Sequence, residues 1–509
     1  MGQFTRREFI KGAGGFVSAA ALSSALPGLL EAQEKQRFNI LFLMTDQHHH
    51  NVLGCAGNPI VKTPNLDRLA SEGARFTNAT CATPFCSPTR ASLITGLWPH
   101  THGIVKNVED LKLGLYDDAQ TAEGVLFDKN YMTAQMGKWH LGDQKRLRYY
   151  HDTVDRLATD QYKAFAKGIS REKWHKAGKG DVVEGDVCFK SHMVPFHEVW
   201  KNEKNRSGQD LSTVGRSLCP SQYQYESWLA DQCVDMIHEN RDRNFMLTYS
   251  VSPPHALWTV PDPYYSMYDP KDMILPPSWN DHPAVYQESQ PARLGAGFGE
   301  PGVREMLRCY YGQVSMMDWC FGRILKALDD QDLTDDTLVV FLSDHGDMQG
   351  GHHMVDKALP AFYEEIVRVP MMVRYPKSIK PGSVITTHAQ SVDVMPTLLD
   401  FAGQAIPRGV QGTSLRPLLE GRAKDDDRPA FCERGLDKAS SRMIRTRRWK
   451  YTAFGTQRRE LFDLQEDPGE VHNLSLDPAC TRIIAGLHER LRLHMERTAD
   501  PALAVIPTA

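Results

Sequence analysis

Two short, nearly unbroken apolar runs constrain this chain most. Phe38 to Met44 closes on Thr45-Asp46, and Thr337 to Ser343 closes on Asp344-His345. Runs of this length without polar alternation read as strands buried on both faces, as in a parallel sheet covered by helices. Each run delivers a carboxylate at its C-terminal end, the edge where open α/β sheets bind their ligands. The two strands are therefore expected side by side, with Asp46 and Asp344 meeting although they lie far apart in the chain.

The remaining pattern extends that reading. Tyr131 to Met136, Phe245 to Ser250 and Val369 to Tyr375 are further strand candidates, and helical periodicity runs over Asn65 to Glu72, Tyr310 to Leu328 and Val394 to Ala402. Strands alternating with helices predict an α/β fold around a large central sheet. Asp143 to Gln224 is long, polar and poorly periodic, and is expected to be an insertion over the site that carries substrate choice. After the charged linker Arg422 to Arg428, the stretches Arg442 to Phe454 and Glu460 to Leu464 read as short strands, and Cys480 to Arg497 reads as a helix. The expected organisation is a leader over 1–32, a catalytic domain over 36–424 and a smaller C-terminal α+β subdomain over 425–509.

The leader has its own logic. Thr5-Arg6-Arg7-Glu8-Phe9-Ile10-Lys11 precedes a mildly apolar stretch of small residues from Gly12 to Leu30, and Leu30-Glu31-Ala32 offers a cleavage site. This looks like a twin-arginine export signal, which implies the twin-arginine translocase as a partner and a periplasmic or secreted protein. Such proteins fold before export, so the ten cysteines do not by themselves argue for disulfides. A net charge of -4, with no long basic run, argues against non-specific binding of nucleic acid. No stretch after the leader has the length and apolarity of a membrane span, so an integral membrane protein is not expected.

The strand ends suggest a metal. Asp46 and Asp344 offer hard carboxylate oxygens, Gln47 an amide carbonyl and His345 a ring nitrogen, a set that suits Ca²⁺ or a similar divalent cation better than a thiolate zinc site. Three consecutive histidines, His48-His49-His50, cannot all face one ion from a regular strand or helix. One or two of them are expected at the mouth of a pocket instead.

The chemistry centres on Cys86-Ser87-Pro88-Thr89-Arg90, followed by the helix-like run Ala91 to Gly96. Arg90 cannot lose its charge and offers fixed donors, and Ser87 and Thr89 are candidate caps for the helix. The Cys86-x-Pro88-x-Arg90 spacing resembles the signature at which type I sulfatases have their cysteine oxidised to formylglycine. Further motifs extend the resemblance from Asn39 to Leu474: Gly137-Lys138-Trp139-His140-Leu141-Gly142, Ser252-Pro253-Pro254-His255, the segment from Asp344 to Lys357, and Glu460 to Leu464 with Asp467-Pro468 and Asn473-Leu474. The family's usual second Asp is replaced by Gln47, as in a known subset.

The resemblance implies an alkaline-phosphatase-like fold and a formylglycine-dependent sulfatase matured by a formylglycine-generating enzyme. It implies the modified Cys86 as a further metal ligand, with Arg90 holding its hydroxyl. It implies Lys138 on a sulfate oxygen, His140 as base toward the spare hydroxyl, and His255 with Lys357 on the sulfate, either one protonating the departing alcohol. The substrate is expected to be a sulfated glycan or other small alcohol. A phosphonate monoester or phosphodiester hydrolase of the same superfamily is the alternative, which Lys138 and His140 disfavour. A silent carbohydrate-binding relative is a further alternative, distinguished by an unmodified Cys86. A cysteine phosphatase would need Arg six positions after the cysteine, where Ser92 stands.

Overall fold

Alternate residues of the central strands belong to different cores. Leu41 and Leu43 pack in one cluster with Phe341 and Tyr310, whereas Ile40, Phe42 and Met44 pack in another with Leu338, Val340 and Leu342. That is the period-two consequence of a strand buried on both sides, and it explains the lack of polar alternation in the sequence. The computed structural model describes residues 37–108, 114–115, 119–142, 152–153, 214–217, 219–281, 299–357 and 361–506. The expected leader and most of the expected insertion lie outside the described residues.

The strands run in chain order as β1 (Asn39–Asp46), β2 (Ala74–Thr80), β3 (Met132–Gly137), β4 (Asp152–Thr153), β5 (Val214–Ser217), β6 (Phe245–Pro254), β7 (Trp258–Pro261), β8 (Thr337–Ser343), β9 (Arg368–Arg374), β10 (Ser383–Ile385) and β11 (Ala389–Gln390). Among the described residues the large sheet has nine strands, in the order β10-β2-β9-β8-β1-β6-β3-β4 with β11 beside β2, and β5 pairs with β7 apart from it. β1 is parallel to both β8 and β6, with Thr45 opposite Ser343. β9 runs antiparallel to β8 and β2, which makes the sheet mixed. The helix Gly299–Asp330 packs in the first core, and helices Cys86–Thr95 and Val394–Phe401 in the second.

A second sheet follows: β12 (Ala430–Arg434), β13 (Ser441–Arg445), β14 (Trp449–Phe454) and β15 (Arg459–Asp463), paired antiparallel in that order, with the helix Thr481–Thr498 on it. It belongs to the same compact unit, Phe38–Ala509, as the large sheet. The architecture is a mixed sheet flanked by helices, with an antiparallel sheet toward the C-terminus, as the expected α/β fold with a C-terminal α+β part requires. β2, β12 and the helix Tyr225–Glu239 had no counterpart among the sequence expectations. The long helix also begins eleven residues before the expected Tyr310, at Gly299.

Candidate active site

The parallel pairing of β1 and β8 brings Asp46 and Asp344 to one edge, where Arg90 bridges them. Its Nε donates to Asp344 Oδ2 at 2.9 Å and its Nη2 to Asp46 Oδ2 at 3.0 Å. Nη1 donates to the Lys138 carbonyl and to Ser250 Oγ at 2.8 and 2.9 Å. The guanidinium thus braces the two carboxylates.

Cys86 is the first residue of the buried helix Cys86–Thr95, where unpaired N–H groups favour an anion. The expected caps are corrected here. Phe85 occupies the N-cap without a side-chain bond, and Ser87 and Thr89 fall inside the helix. The Thr89 hydroxyl donates to the Thr83 carbonyl, and Ser87 Oγ accepts from Val108 N.

The Cys86 thiol lies 3.3 Å from His345 Nε2 and 3.8 Å from Asp46 Oδ1. Burial and the Asp46 charge oppose its ionisation, but Lys138, Lys357 and His345 outweigh them and hold it well below the ordinary thiol range. Burial also opposes the Asp46 carboxylate, yet Lys138, His255, Arg90 and His345 hold its pKa well below the usual value. Asp344 goes the other way, to about 6, pushed up by burial and then by the Asp46 charge. His345 donates from Nδ1 to the Gly346 carbonyl, which turns Nε2 toward the cluster. Burial disfavours its cation, but Asp344 and Cys86 raise it to about 9.

This donor set fits a divalent cation. Asp46, Cys86, Asp344 and His345 each offer one ligand atom, all within 4.8 Å of one another. Gln47 supplies an independent sign: its Nε2 donates to the Asp347 carboxylate, while its buried Oε1 has no hydrogen-bond partner among the described residues. A buried amide oxygen left unpaired beside two carboxylates is what a hard cation would satisfy.

Three of the other expected residues, Lys138, His255 and Lys357, stand around the cluster. Lys138 Nζ is 2.5 Å from Asp46 Oδ2. It follows Gly137, whose φ of 83° and whose Cβ position, 2.1 Å from the Ser250 carbonyl, exclude any side chain there. His140 stands two residues on, part-buried, with φ 61°. His255 follows β6; its Nδ1 donates to the Ala256 carbonyl at 2.6 Å, so Nε2 is the acceptor that faces Lys357 Nζ at 2.8 Å. Burial opposes the Lys357 charge, but Cys86, Asp356, Asp46 and Asp344 raise its pKa further.

Of the three consecutive histidines, His48 keeps its ring in local bonds, Nε2 donating to the Val52 carbonyl at 3.0 Å and Nδ1 lying 3.4 Å from Thr45 Oγ1, while its backbone N–H donates to Ser343 Oγ at 2.9 Å. His49 and His50 line a separate cavity of about 480 Å³. Burial holds His48 and His49 neutral, at about 4 and about 3. Sequence reasoning missed Asp347, which orients Gln47, and Tyr310, whose hydroxyl donates to the Gln47 carbonyl and accepts from His49 N. Asp347 lies three residues past Asp344 and was within reach of a pattern search. Tyr310 looks like any core tyrosine of a long helix.

With that geometry in hand, the relatives are informative. Residues 38–404 match the sulfatase family, and residues 350–497 match the C-terminal region of N-sulphoglucosamine sulphohydrolase. The chain is 31% identical to an arylsulfatase of Clostridium perfringens, over 86% of this chain and 90% of the relative. It is 30% identical to an N-acetylglucosamine-6-O-sulfatase of Bacteroides thetaiotaomicron, over 89% and 86%. A phosphonate monoester hydrolase from Silicibacter pomeroyi shares the fold, with a TM-score of 0.74 at 24% identity over 92% of this chain and 97% of that one. A family match over most of the chain, joined to a sheet edge with the expected donors, makes this chain a member of the sulfatase family of the alkaline-phosphatase superfamily, a sulfuric ester hydrolase.

Proposed function

We propose that the protein hydrolyses the sulfate ester of a carbohydrate or other small alcohol, using a formylglycine made from Cys86 and a calcium or similar divalent ion. Asp46, Gln47, Asp344 and His345 would hold the ion, with the residue at position 86 as a further ligand. The observation that carries the reading is a buried Cys86 at a helix start, within ligand distance of the Asp46-Asp344-His345 group and in the field of Lys138 and Lys357. The hydrated aldehyde would supply two hydroxyls on one carbon, one to attack sulfur and one whose deprotonation releases sulfate and restores the aldehyde, with the cation lowering the first one's pKa.

The chain's own residues do the rest. Lys138 and Lys357 are cations available to the sulfate oxygens, and donors placed in this way act where charge develops in the transition state. Arg90 keeps Asp46 and Asp344 in register. His255 Nε2 is an acceptor at rest, so the proton for the departing alcohol resides on Lys357, and the pair can pass it along their 2.8 Å contact. His140 is assigned the base toward the second hydroxyl.

The Arg6-Arg7 leader supports export by the twin-arginine route to the periplasm or beyond, after maturation by a formylglycine-generating enzyme. Among the described residues no helix is long and apolar enough to cross a membrane. Residues 36–424 are assigned to the catalytic domain and 425–509 to the C-terminal subdomain.

The test is the mass of the Cys86 peptide from protein isolated out of its native host. A peptide about 18 Da lighter than the unmodified form is expected for formylglycine, and an unmodified thiol would overturn the mechanism. Gln47 and the phosphonate hydrolase fold neighbour support a second reading, phosphonate or phosphodiester hydrolysis. Sulfate, phosphate and phosphonate esters of one alcohol, assayed side by side, separate the two.

A further inference from the structure

Beside the loop that leaves β1 lies a cavity of about 220 Å³, lined by His50, Asn51, Arg75, Phe76, Thr77 and Arg368 among others, with no acidic residue in its wall. None of the metal-site or catalytic candidates lines it. Its own wall carries no carboxylate against its two arginines; Glu364, in the wall of the adjoining cavity, acts on Arg368 from outside. Arg368 donates from Nε to the Thr77 carbonyl at 2.7 Å, and neither it nor Arg75 has an ion-pair partner among the described residues. Arg68, Arg90, Arg374, Arg442 and Arg445, by contrast, each pair with a carboxylate. Burial and the charges of Arg445 and Arg75 push Arg368 down to about 10, with Glu364 the one group that opposes them.

The cavity also holds an unpaired polar atom. His50 Nδ1 is buried with no hydrogen-bond partner among the described residues. Burial and the Arg368 charge hold this imidazole well below its usual range, so it stands neutral, able to present either a donor or an acceptor. Access comes from the neighbouring cavity of about 480 Å³, which shares His50, Asn51 and Arg368 with it. Two cations, an unpaired imidazole and room for several waters at about 30 Å³ each give this pocket the capacity to take an anion.

We propose that this cavity is a second oxyanion site, separate from the catalytic edge, which binds a tetrahedral sulfate or phosphate group between Arg368 and Arg75 with His50 as a further partner. Guanidinium groups suit the task, because they present paired donors to oxyanion edges. The group can arrive as the free ion or as a sulfate borne on a sugar. The proposal stands on residues that the sulfatase reading does not use.

Equilibrium dialysis of the full chain with radiolabelled inorganic sulfate, at constant ionic strength, tests it. In a Lys357→Ala background, which weakens the proposed catalytic sulfate contact, one bound sulfate per chain is expected to remain. Adding Arg368→Gln should then weaken that binding by at least about tenfold, and Arg75→Gln by about threefold to tenfold. Unchanged affinity in both variants, with unchanged circular dichroism, overturns the site. Should Arg368→Gln fail to fold, Arg75→Gln decides alone, since that side chain is half-buried and makes no hydrogen bond or ion pair among the described residues. The site's failure would leave the Cys86 mass test untouched, and failure of the sulfatase reading would leave the arginine effects untouched. Competition by unlabelled sulfate better than by glucosamine 6-sulfate assigns the site to the free ion, and the reverse order assigns it to an ester-borne group.

Discussion

Among the nests of buried charge in the described residues, two differ in how completely their polar atoms are matched. At the sheet-to-sheet junction, Arg442 donates to both oxygens of Asp500 and to the carbonyls of Arg434, Gly435 and Ser441. His100 donates from Nδ1 to Glu433 at 2.7 Å and from Nε2 to the Thr498 carbonyl at 3.0 Å, while its backbone N–H takes the other Glu433 oxygen. At the catalytic edge the charges are as deeply buried, yet Gln47 Oε1 has no hydrogen-bond partner among the described residues and a thiol faces His345. Saturated networks hold parts of a structure together. A nest left open at one side has capacity for a ligand, and the cost of burying it is compensated only when that ligand arrives.

The largest expected effect isolates the open nest. Cys86→Ala should lower turnover on the order of 10⁴-fold or more, because the nucleophile is gone while the surrounding donors remain. Thermal unfolding should barely move. A residual rate within tenfold of wild type would mean that Cys86 is not the reacting position.

Asp500→Ala is the matching test of the closed nest. It strands the Arg442 guanidinium in the interior, at a cost of about 3–5 kcal/mol, readable in urea unfolding. The folded fraction should keep its wild-type kcat. A loss of kcat without a loss of stability would erase the distinction between the two nests.

Lys357→Ala should follow, lowering kcat by about 10²–10³-fold if its ammonium acts in the transition state. The effect should fall mainly on kcat, with a smaller rise in KM, since the ammonium touches the sulfate in the ground state and is worth more where charge develops in the transition state. An increase in KM alone would instead make Lys357 a substrate-binding residue.

The same contrast explains what could be read from the sequence. Asp46 and Asp344 were readable because strand ends follow from apolar runs, and parallel neighbours bring their carboxyl ends to one edge. The partners of Arg90 were not, because four contacts from β1, β6, β8 and the β3 loop depend on strand order, which no local pattern encodes. β2 was missed for a similar reason: Ala74 to Thr80 alternates weakly, and its place is fixed by antiparallel pairing with β9, about three hundred residues on. In the C-terminal sheet, Trp449–Phe454 and Arg459–Asp463 were foreseen because β-branched and aromatic residues cluster there. β12 was not, since Ala430 to Arg434 carries two charges. Ser87 and Thr89 misled as caps because Cys86 itself begins the helix, and Pro88 at its third position is compatible with a first turn.

The smallest expected effect concerns pH at the closed nest. Both His100 nitrogens face acceptors, so the ring must be an imidazolium to satisfy them. Burial opposes that charge, but Glu433 and Asp500 outweigh it and raise the His100 pKa above 6.5. A raised pKa in the folded state means that the stabilisation is complete below the unfolded value and is lost as pH rises through the folded one. His102 and His494, which also face His100, are held by burial at about 3 and stay neutral throughout this window, and the Arg442 charge is constant. His100→Gln keeps hydrogen bonds but not the charge, and should cost about 1 kcal/mol at mildly acidic pH. The difference from wild type should shrink as pH rises past the folded pKa, while kcat at one fixed pH stays put. His345 also titrates above neutrality, so the comparison between the two proteins carries the result, not the pH profile of either one. A stability gap that is flat across pH would mean that His100 acts by shape alone, and that the junction is held by the Arg442–Asp500 pair.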